Sequence, residues 1–247
     1  MNTCELSVVE RGRIALFFIL KKVFNMKNKN KEIIIDRIEK ASKIYKNNLV
    51  GKTFLLLFEG KSIEVTFRVN NFLHLCGVDT NLYAKDFYRK AVNGKLRVQE
   101  IGFSDIHPYI FADIKTSHLN KALSMLKEDS LIITNISTSS KTYKLGTTNL
   151  EVVFCFDEQL DNNDNRVSDI LIPYTLRIEE ISNERFNEIY SVDYVLSKSN
   201  GHREYSQIEF GNKEKLLDYF NEHNITNYQL TDSLYDDFSI KLNKKTL

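Results

Sequence analysis

Helix-like and strand-like segments occupy different parts of this 247-residue chain. Apolar residues recur at helical spacing in residues 32–48, 69–76, 80–94 and 116–126. Runs rich in β-branched and aromatic residues come later, in residues 131–138, 150–156, 167–173, 190–197 and 204–210. Two apolar runs around Glu59-Gly60 form a β-hairpin pattern ahead of them. This order predicts an α+β fold, with N-terminal helices and a β-hairpin followed by an antiparallel sheet of about four to five strands.

The helical segments also predict buried faces and helix ends. In the first segment the buried face is formed by Ile34, Ile38, Ala41 and Tyr45. In residues 80–94, Thr80 or Asn81 is the expected N-cap and Gly94 the C-terminal stop. The buried face of that helix is expected to contain Tyr83, Phe87 and Ala91. The next helix is expected to begin at Thr116 or Ser117.

Three regions are expected along the chain. Residues 1–31 form an N-terminal extension, residues 32–210 the main domain, and residues 211–247 a C-terminal helix with an acidic tail. Met26 resembles a natural start, so residues 1–25 are a candidate upstream extension. The apolar run IALFFIL within that extension has seven residues, whereas a membrane span needs about twenty. No cleavage site of small residues follows it, so neither a membrane anchor nor a signal peptide is expected.

Charge and cysteine content restrict the partners and the compartment. The formal net charge is +1, so no overall positive field draws the protein onto nucleic acid. Residues 21–50 are nevertheless basic, which fits either a solvated surface or a surface for an anionic partner. The three cysteines have no metal-ligand spacing and are read as free thiols in a reducing compartment, the cytoplasm.

The most specific stretch of the chain is NNFLHLCGVD, residues 70–79. If residues 69–76 are helical, the buried face contains Val69, Phe72, Leu73 and Cys76, and Gly77 ends the helix. His74 then points away from that face. An imidazole in this position is available for proton transfer near neutral pH. The alternative is that His74 only makes structural hydrogen bonds.

This stretch, followed by AKDFYRKAVNGKL, resembles the fourth group of phage-associated nuclease domains with the barnase–EndoU–colicin–RelE fold. The resemblance covers roughly residues 32–210 and continues through later short motifs. The matching positions are Phe72, His74, Leu75, Gly77, Phe87, Tyr88, Lys95, Leu96, Lys144, Leu145, Gly146, Pro173, Thr175, Arg203, Tyr205 and Ile208. The chain departs from the family pattern where Cys76 replaces Thr, where Tyr174 replaces Asn, and where a Gly-Asn step becomes Gly146-Thr147-Thr148-Asn149.

The resemblance implies a metal-independent ribonuclease, toxin-like or phage-associated, that cleaves RNA by attack of the ribose 2′-OH and leaves a cyclic phosphate. Such a reaction needs a base, an acid and a cation for the phosphate oxygens. In this assignment His74 is the general base or acid, Thr175 donates a hydrogen bond to the phosphate, and Tyr205 orients substrate or transfers the second proton. Lys144 and Arg203 bind the phosphate. No metal and no cofactor is expected.

Two rival functions belong to other classes. One is a non-catalytic module that binds RNA or protein on a degenerate nuclease scaffold. The other is a phage or mobile-element accessory protein without phosphate chemistry. The enzyme interpretation implies RNA as partner, an antitoxin or another protein as a second candidate, no membrane, and a location in the cytoplasm of a bacterial host. Convergence of the candidate residues in one cleft would favour the enzyme.

Overall fold

The computed structural model describes the backbone of residues 8–127, 129–137, 141–148, 152–161, 163–177 and 187–234, and side chains from residue 28 onward. The acidic tail beyond residue 234 and the side chains of the IALFFIL run lie outside these described residues. The described helices are α1 (Val8–Asn48), α2 (Phe72–Cys76), α3 (Ala84–Val92), α4 (Tyr109–Ser124) and α5 (Leu216–Glu222). None of the helices in these described ranges is both long and apolar enough to cross a membrane.

The strands are β1 (Lys52–Phe58), β2 (Lys61–Thr66), β3 (Asp79–Thr80), β4 (Ile101–Gly102), β5 (Leu131–Ser137), β6 (Thr142–Thr148), β7 (Val153–Asp157), β8 (Ile172–Arg177), β9 (Glu188–Ser191), β10 (Tyr194–Ser199), β11 (Glu204–Tyr205), β12 (Gln207–Phe210) and β13 (Gln229–Leu230). Two antiparallel sheets dominate, in the orders β8-β7-β6-β5-β9 and β12-β10-β1-β2. The short pairs β3-β4 and β11-β13 complete the pattern. The expected α+β class is confirmed.

One large apolar core joins helices α1 to α4 to both sheets. The four positions predicted for the buried face of α1, Ile34, Ile38, Ala41 and Tyr45, are all fully buried. The predicted hairpin is also confirmed, because β1 and β2 pair around Glu59 and Gly60, which both have positive φ. A second cluster, which includes Leu55, Leu57 and Phe220, forms where residues 204–234 pack over the four-stranded sheet.

Helix α1 begins at Val8, well before the predicted segment 32–48, and α3 and α4 also begin elsewhere than predicted. Thr80 pairs within β3, so α3 begins only at Ala84, and Tyr83 becomes its extended N-cap with 86% of its surface exposed. Phe87 and Ala91 are buried as expected. Helix α4 begins directly after Pro108, and Thr116 lies in its interior, where its hydroxyl donates to the carbonyl of Ala112. Strand pairing sets the start of α3, which local propensity does not reveal. The start of α4 follows Pro108, a local signal for a helix start that the prediction did not use.

The strand predictions also need correction. The run 190–197 divides between β9 and β10, which belong to different sheets. Between them, Asp193 donates its backbone N–H to the carbonyl of Leu57 on β1, so the chain passes from the five-stranded to the four-stranded sheet. The run 167–173 contributes only its last two residues to β8. Strand β6 was not predicted at all. Its Gly146 is required by packing, since a Cβ there would collide with the side chains of Ile136 and Val153.

Candidate active site

A cavity of about 350 Å³ lies where α2, α4 and β8 meet. Three of its walls carry side chains able to bind or protonate a phosphate ester: His74 from α2, Lys115 from α4 and Thr175 from β8. His107 and Asp79 line the cavity as well. Two aromatic residues, Tyr143 and Tyr174, also form part of its wall. The cavity therefore combines acid–base groups, a cation and hydroxyls in one place.

The local sequence explains why His74 faces this cavity. Helix α2 buries Phe72 and Cys76 completely, partly buries Leu73, and leaves His74 exposed, as its helical position predicts. The predicted stop at Gly77 is also confirmed, with φ +67°. Gly77 has a second role, because a Cβ at this position would lie 2.7 Å from Cδ of Lys115. The missing side chain thus allows the lysine stem to cross the end of α2.

Lys115 presents its ammonium to the cavity. Its Nζ donates a hydrogen bond to Oγ1 of Thr175 at 3.1 Å. Within the described ranges, no carboxylate lies at ion-pairing distance from this ammonium. Burial lowers the pKa of Lys115, and the positive charge of Arg177 lowers it further. A half-buried cation without a carboxylate is an attractive site for a phosphate, because an anion would restore its charge balance.

The environment of His74 favours its neutral form. His74 is exposed overall, but part of its ring lies against the cavity wall, and this partial burial lowers its pKa. The charges of His107 and Lys115 act in the same direction. A neutral imidazole near pH 7 can accept a proton. The structure therefore gives His74 the electrostatic property that a general base needs.

His107 and Asp79 form a second acid–base unit at the cavity. Nδ1 of His107 lies 2.6 Å from Oδ1 of Asp79. Hydrogen bonds from Ser104 and from His107 lower the pKa of Asp79, so the carboxylate is charged at neutral pH. Because Nδ1 is engaged by this carboxylate, Nε2 is the ring nitrogen that remains for a substrate proton.

Two further side chains shape the electrostatics. Burial raises the pKa of the Tyr143 phenol, and a hydrogen bond with Arg177 opposes that shift. Tyr143 therefore stays protonated and can donate a hydrogen bond at neutral pH. Arg177 adds a second positive charge beside Lys115 and Tyr143.

Of the five residues predicted for the site, the cavity contains His74 and Thr175. Tyr205 is fully buried in the second cluster, where its hydroxyl donates to Oε1 of Glu64 and its ring contacts Tyr228. Burial raises the pKa of Tyr205, as does the bond to Glu64. Its aromatic ring is needed in that cluster, so the polar tip cannot also face the cavity.

The two predicted phosphate-binding residues also lie apart from the cavity. Lys144 follows Tyr143 on β6, and its Nζ lies 2.6 Å from Oε1 of Glu158, which Arg166 also contacts. Successive strand residues point to opposite sides, which explains why Tyr143 lines the cavity and Lys144 does not. Arg203 is exposed in the turn between β10 and β11. Lys144, Arg203 and Tyr205 do not enter the reaction proposed below.

Sequence reasoning missed Lys115, His107, Asp79, Tyr143 and Arg177. Asp79 carried a weak signal, since it ends the stretch that contains His74. Lys115 carried none, because it is one of many lysines on a helical pattern. Among the described residues, no group of three or more His, Cys, Asp or Glu side chains is arranged to hold a metal ion.

Comparison with known proteins adds one finding. The family model described as phage-Barnase-EndoU-ColicinE5/D-RelE like nuclease4 matches residues 37–214, which is more than half of the chain. No curated protein and no solved structure matches the chain. The matched region contains every residue of the cavity described above.

Proposed function

The chain belongs to the phage-Barnase-EndoU-ColicinE5/D-RelE like nuclease4 family, and from that premise we propose that it is a metal-independent ribonuclease. The observation that carries the proposal is the convergence of His74, Lys115, Thr175 and the His107–Asp79 pair in one cavity of about 350 Å³. These groups match the three requirements of RNA cleavage without a metal: a base, an acid and charge stabilisation at the phosphate.

In the proposed reaction the ribose 2′-oxygen attacks the adjacent phosphorus, and the bond from phosphorus to the 5′-oxygen of the next nucleotide breaks. His74 accepts the proton of the 2′-OH. Nε2 of His107 donates a proton to the departing 5′-oxygen. The products are a 2′,3′-cyclic phosphate and a 5′-hydroxyl, so atoms and charge balance without water.

Lys115 and Thr175 have the electrostatic role. As negative charge accumulates on the non-bridging oxygens, the ammonium and the hydroxyl stabilise it, and their mutual hydrogen bond holds them together before substrate arrives. Asp79 is a positioning residue, since it engages Nδ1 of His107 at 2.6 Å and leaves Nε2 of that ring for the substrate. Arg177 adds positive potential at the same wall.

Comparison of two histidine variants tests the proposal. The intact protein is expected to cleave an unpaired oligoribonucleotide in the presence of EDTA, and His74→Ala is expected to lower the rate by about 10²–10⁴-fold. His118→Ala is the matched control, because His118 lies on α4 and contacts the carbonyl of Ile114 and Ser117. If the intact protein binds this RNA and cleaves none of it, the binding-module interpretation replaces the enzyme.

A further inference from the structure

Tyr174 occupies an unusual position on β8. Cys155 pairs with Thr175 and Phe156 pairs with Pro173, so Tyr174 is the extra residue of a β-bulge. A bulge redirects a side chain out of the regular alternation of the strand. Here it brings Tyr174 to the cavity beside Thr175, with 45% of its surface exposed. The ring of Tyr174 therefore forms part of the cavity wall and is partly open to solvent.

A second planar ring lies near that of Tyr174 on the wall of the same cavity. The imidazole of His74 is almost parallel to the Tyr174 ring, with an interplanar angle of 12° and a centroid separation of 6.5 Å. Adjacent bases in a nucleic acid strand are spaced by about 3.4 Å. One planar base between two rings therefore requires a separation of about twice that value, which is close to the spacing found here.

Neighbouring residues hold Tyr174 in place. Nζ of Lys141 lies 4.0 Å from the ring centroid, although Lys141 is not among the described residues that line the cavity. Lys141 is itself held by Asp157 at 2.6 Å. The ring of Tyr143 contacts Tyr174 with centroids 5.6 Å apart. The ring is thus fixed in orientation before any ligand binds, which lowers the entropic cost of stacking.

We propose that the gap between Tyr174 and His74 is a stacking slot for the nucleobase next to the scissile phosphate. The inference rests on the proposed ribonuclease function and specifies its substrate, which is unpaired RNA. A base can enter such a slot only when it is unstacked and unpaired, as in loops and single strands. Because every base has a π-face, the slot accepts all four bases and cleavage tolerates sequence at this position.

The slot also brings the reacting groups together. A base stacked beside His74 places its own ribose close to that imidazole, and the following phosphate reaches Lys115 and Thr175 on the adjoining walls. Stacking of the nucleobase would therefore orient the 2′-OH toward His74, the general base that deprotonates it.

The test measures binding without cleavage. The probe is a 2′-O-methyl oligoribonucleotide, which lacks the nucleophile, with one 2-aminopurine whose fluorescence falls when it stacks. Tyr174→Phe keeps the ring and is expected to retain affinity and quenching. Tyr174→Ala is expected to weaken binding by roughly 5- to 150-fold and to abolish quenching at one position of the probe.

Tyr83→Ala is the matched control, because this tyrosine is exposed at the N-cap of α3 and does not line the cavity. Equal binding and quenching by the Tyr174→Ala protein would overturn the slot. If that variant does not fold, Tyr174→Leu keeps apolar bulk without a π-face and is expected to lose quenching as well. Stacking by a protein that leaves ordinary RNA intact would refute the ribonuclease and keep the slot. Cleavage that does not depend on Tyr174 would support the ribonuclease and refute the slot.

Discussion

Nζ of Lys115 lies 3.1 Å from Oγ1 of Thr175, although the two residues are 60 positions apart in the chain. One belongs to helix α4 and the other to strand β8, and α2 with His74 packs against both elements. The contact therefore depends on the assembled fold. It is also the point where a phosphate would be held in the proposed reaction.

Replacing Lys115 by Met removes the charge and keeps most of the apolar stem. We expect cleavage to fall by about 10²–10³-fold, since a preorganised donor to the developing charge is lost. Stability should be unchanged or slightly higher, because a half-buried cation without a described carboxylate partner is removed. Lys144→Met is the control, as this exposed lysine forms only a surface ion pair. Cleavage rates and thermal unfolding of both variants decide the matter, and equal rates would exclude Lys115 from the site.

The titration of His74 gives a prediction that does not depend on activity. Burial and the charges of His107 and Lys115 lower its pKa below 6.5. The neutral form therefore persists to lower pH than in a free histidine. The base function should be lost only as the pH falls through the lowered pKa of His74. In Lys115→Met the pKa of His74 should rise, because one of the positive charges is gone. Ring-proton NMR across the pH range measures both values. An unchanged pKa of His74 in Lys115→Met would show that the Lys115 charge does not act on His74.

Gly77 and Gly51 form a matched pair of glycines with positive φ, +67° and +82°. Ala at either position should cost about 1 kcal/mol of unfolding free energy, because the left-handed backbone is strained by a Cβ. Only at Gly77 does the Cβ also meet the stem of Lys115, whereas nothing lies within 4 Å at Gly51. We expect Gly77→Ala to lower cleavage by up to about 10²-fold, as small misplacements of catalytic groups do. Urea unfolding and cleavage assays of both variants test this, and equal activities would contradict it.

Tyr205→Phe tests the assignment of Tyr205 to the second core cluster. The change keeps the buried ring and removes the hydroxyl that donates a hydrogen bond to Glu64. We expect a loss of about 1–2 kcal/mol of stability, because a carboxylate loses a donor. Cleavage by the folded protein should not change. A large loss of activity at full stability would restore Tyr205 to the active site.

The sequence pattern predicted correctly which side chains of helices α1 and α2 are buried and which are exposed. Ile34 and Tyr45 are buried because they lie on one face of a helix, and His74 is exposed because it lies off the buried face of another. Such periodicity indicates which side of an element is covered, but not which element covers it. Thr175 was reached only through the family resemblance.

The rest of the site depends on long-range packing. His107 meets Asp79 beside the pairing of two-residue strands, β3 and β4, which no propensity would reveal. Tyr205 matched the family motif, yet residues 204–234 fold over the outer face of the four-stranded sheet and bury it there. Its sequence position could not show which of the two clusters it joins.

The most direct measurement of the central claim uses a DNA oligonucleotide that contains a single ribonucleotide. The intact protein, with EDTA present, should cut once, on the 3′ side of the ribonucleotide. Mass spectrometry should find a 2′,3′-cyclic phosphate on one fragment and a 5′-hydroxyl on the other, and His74→Ala should abolish the cut. Cleavage within the deoxyribonucleotide segments, or fragments that carry 5′-phosphates, would contradict attack by the 2′-OH in this cavity.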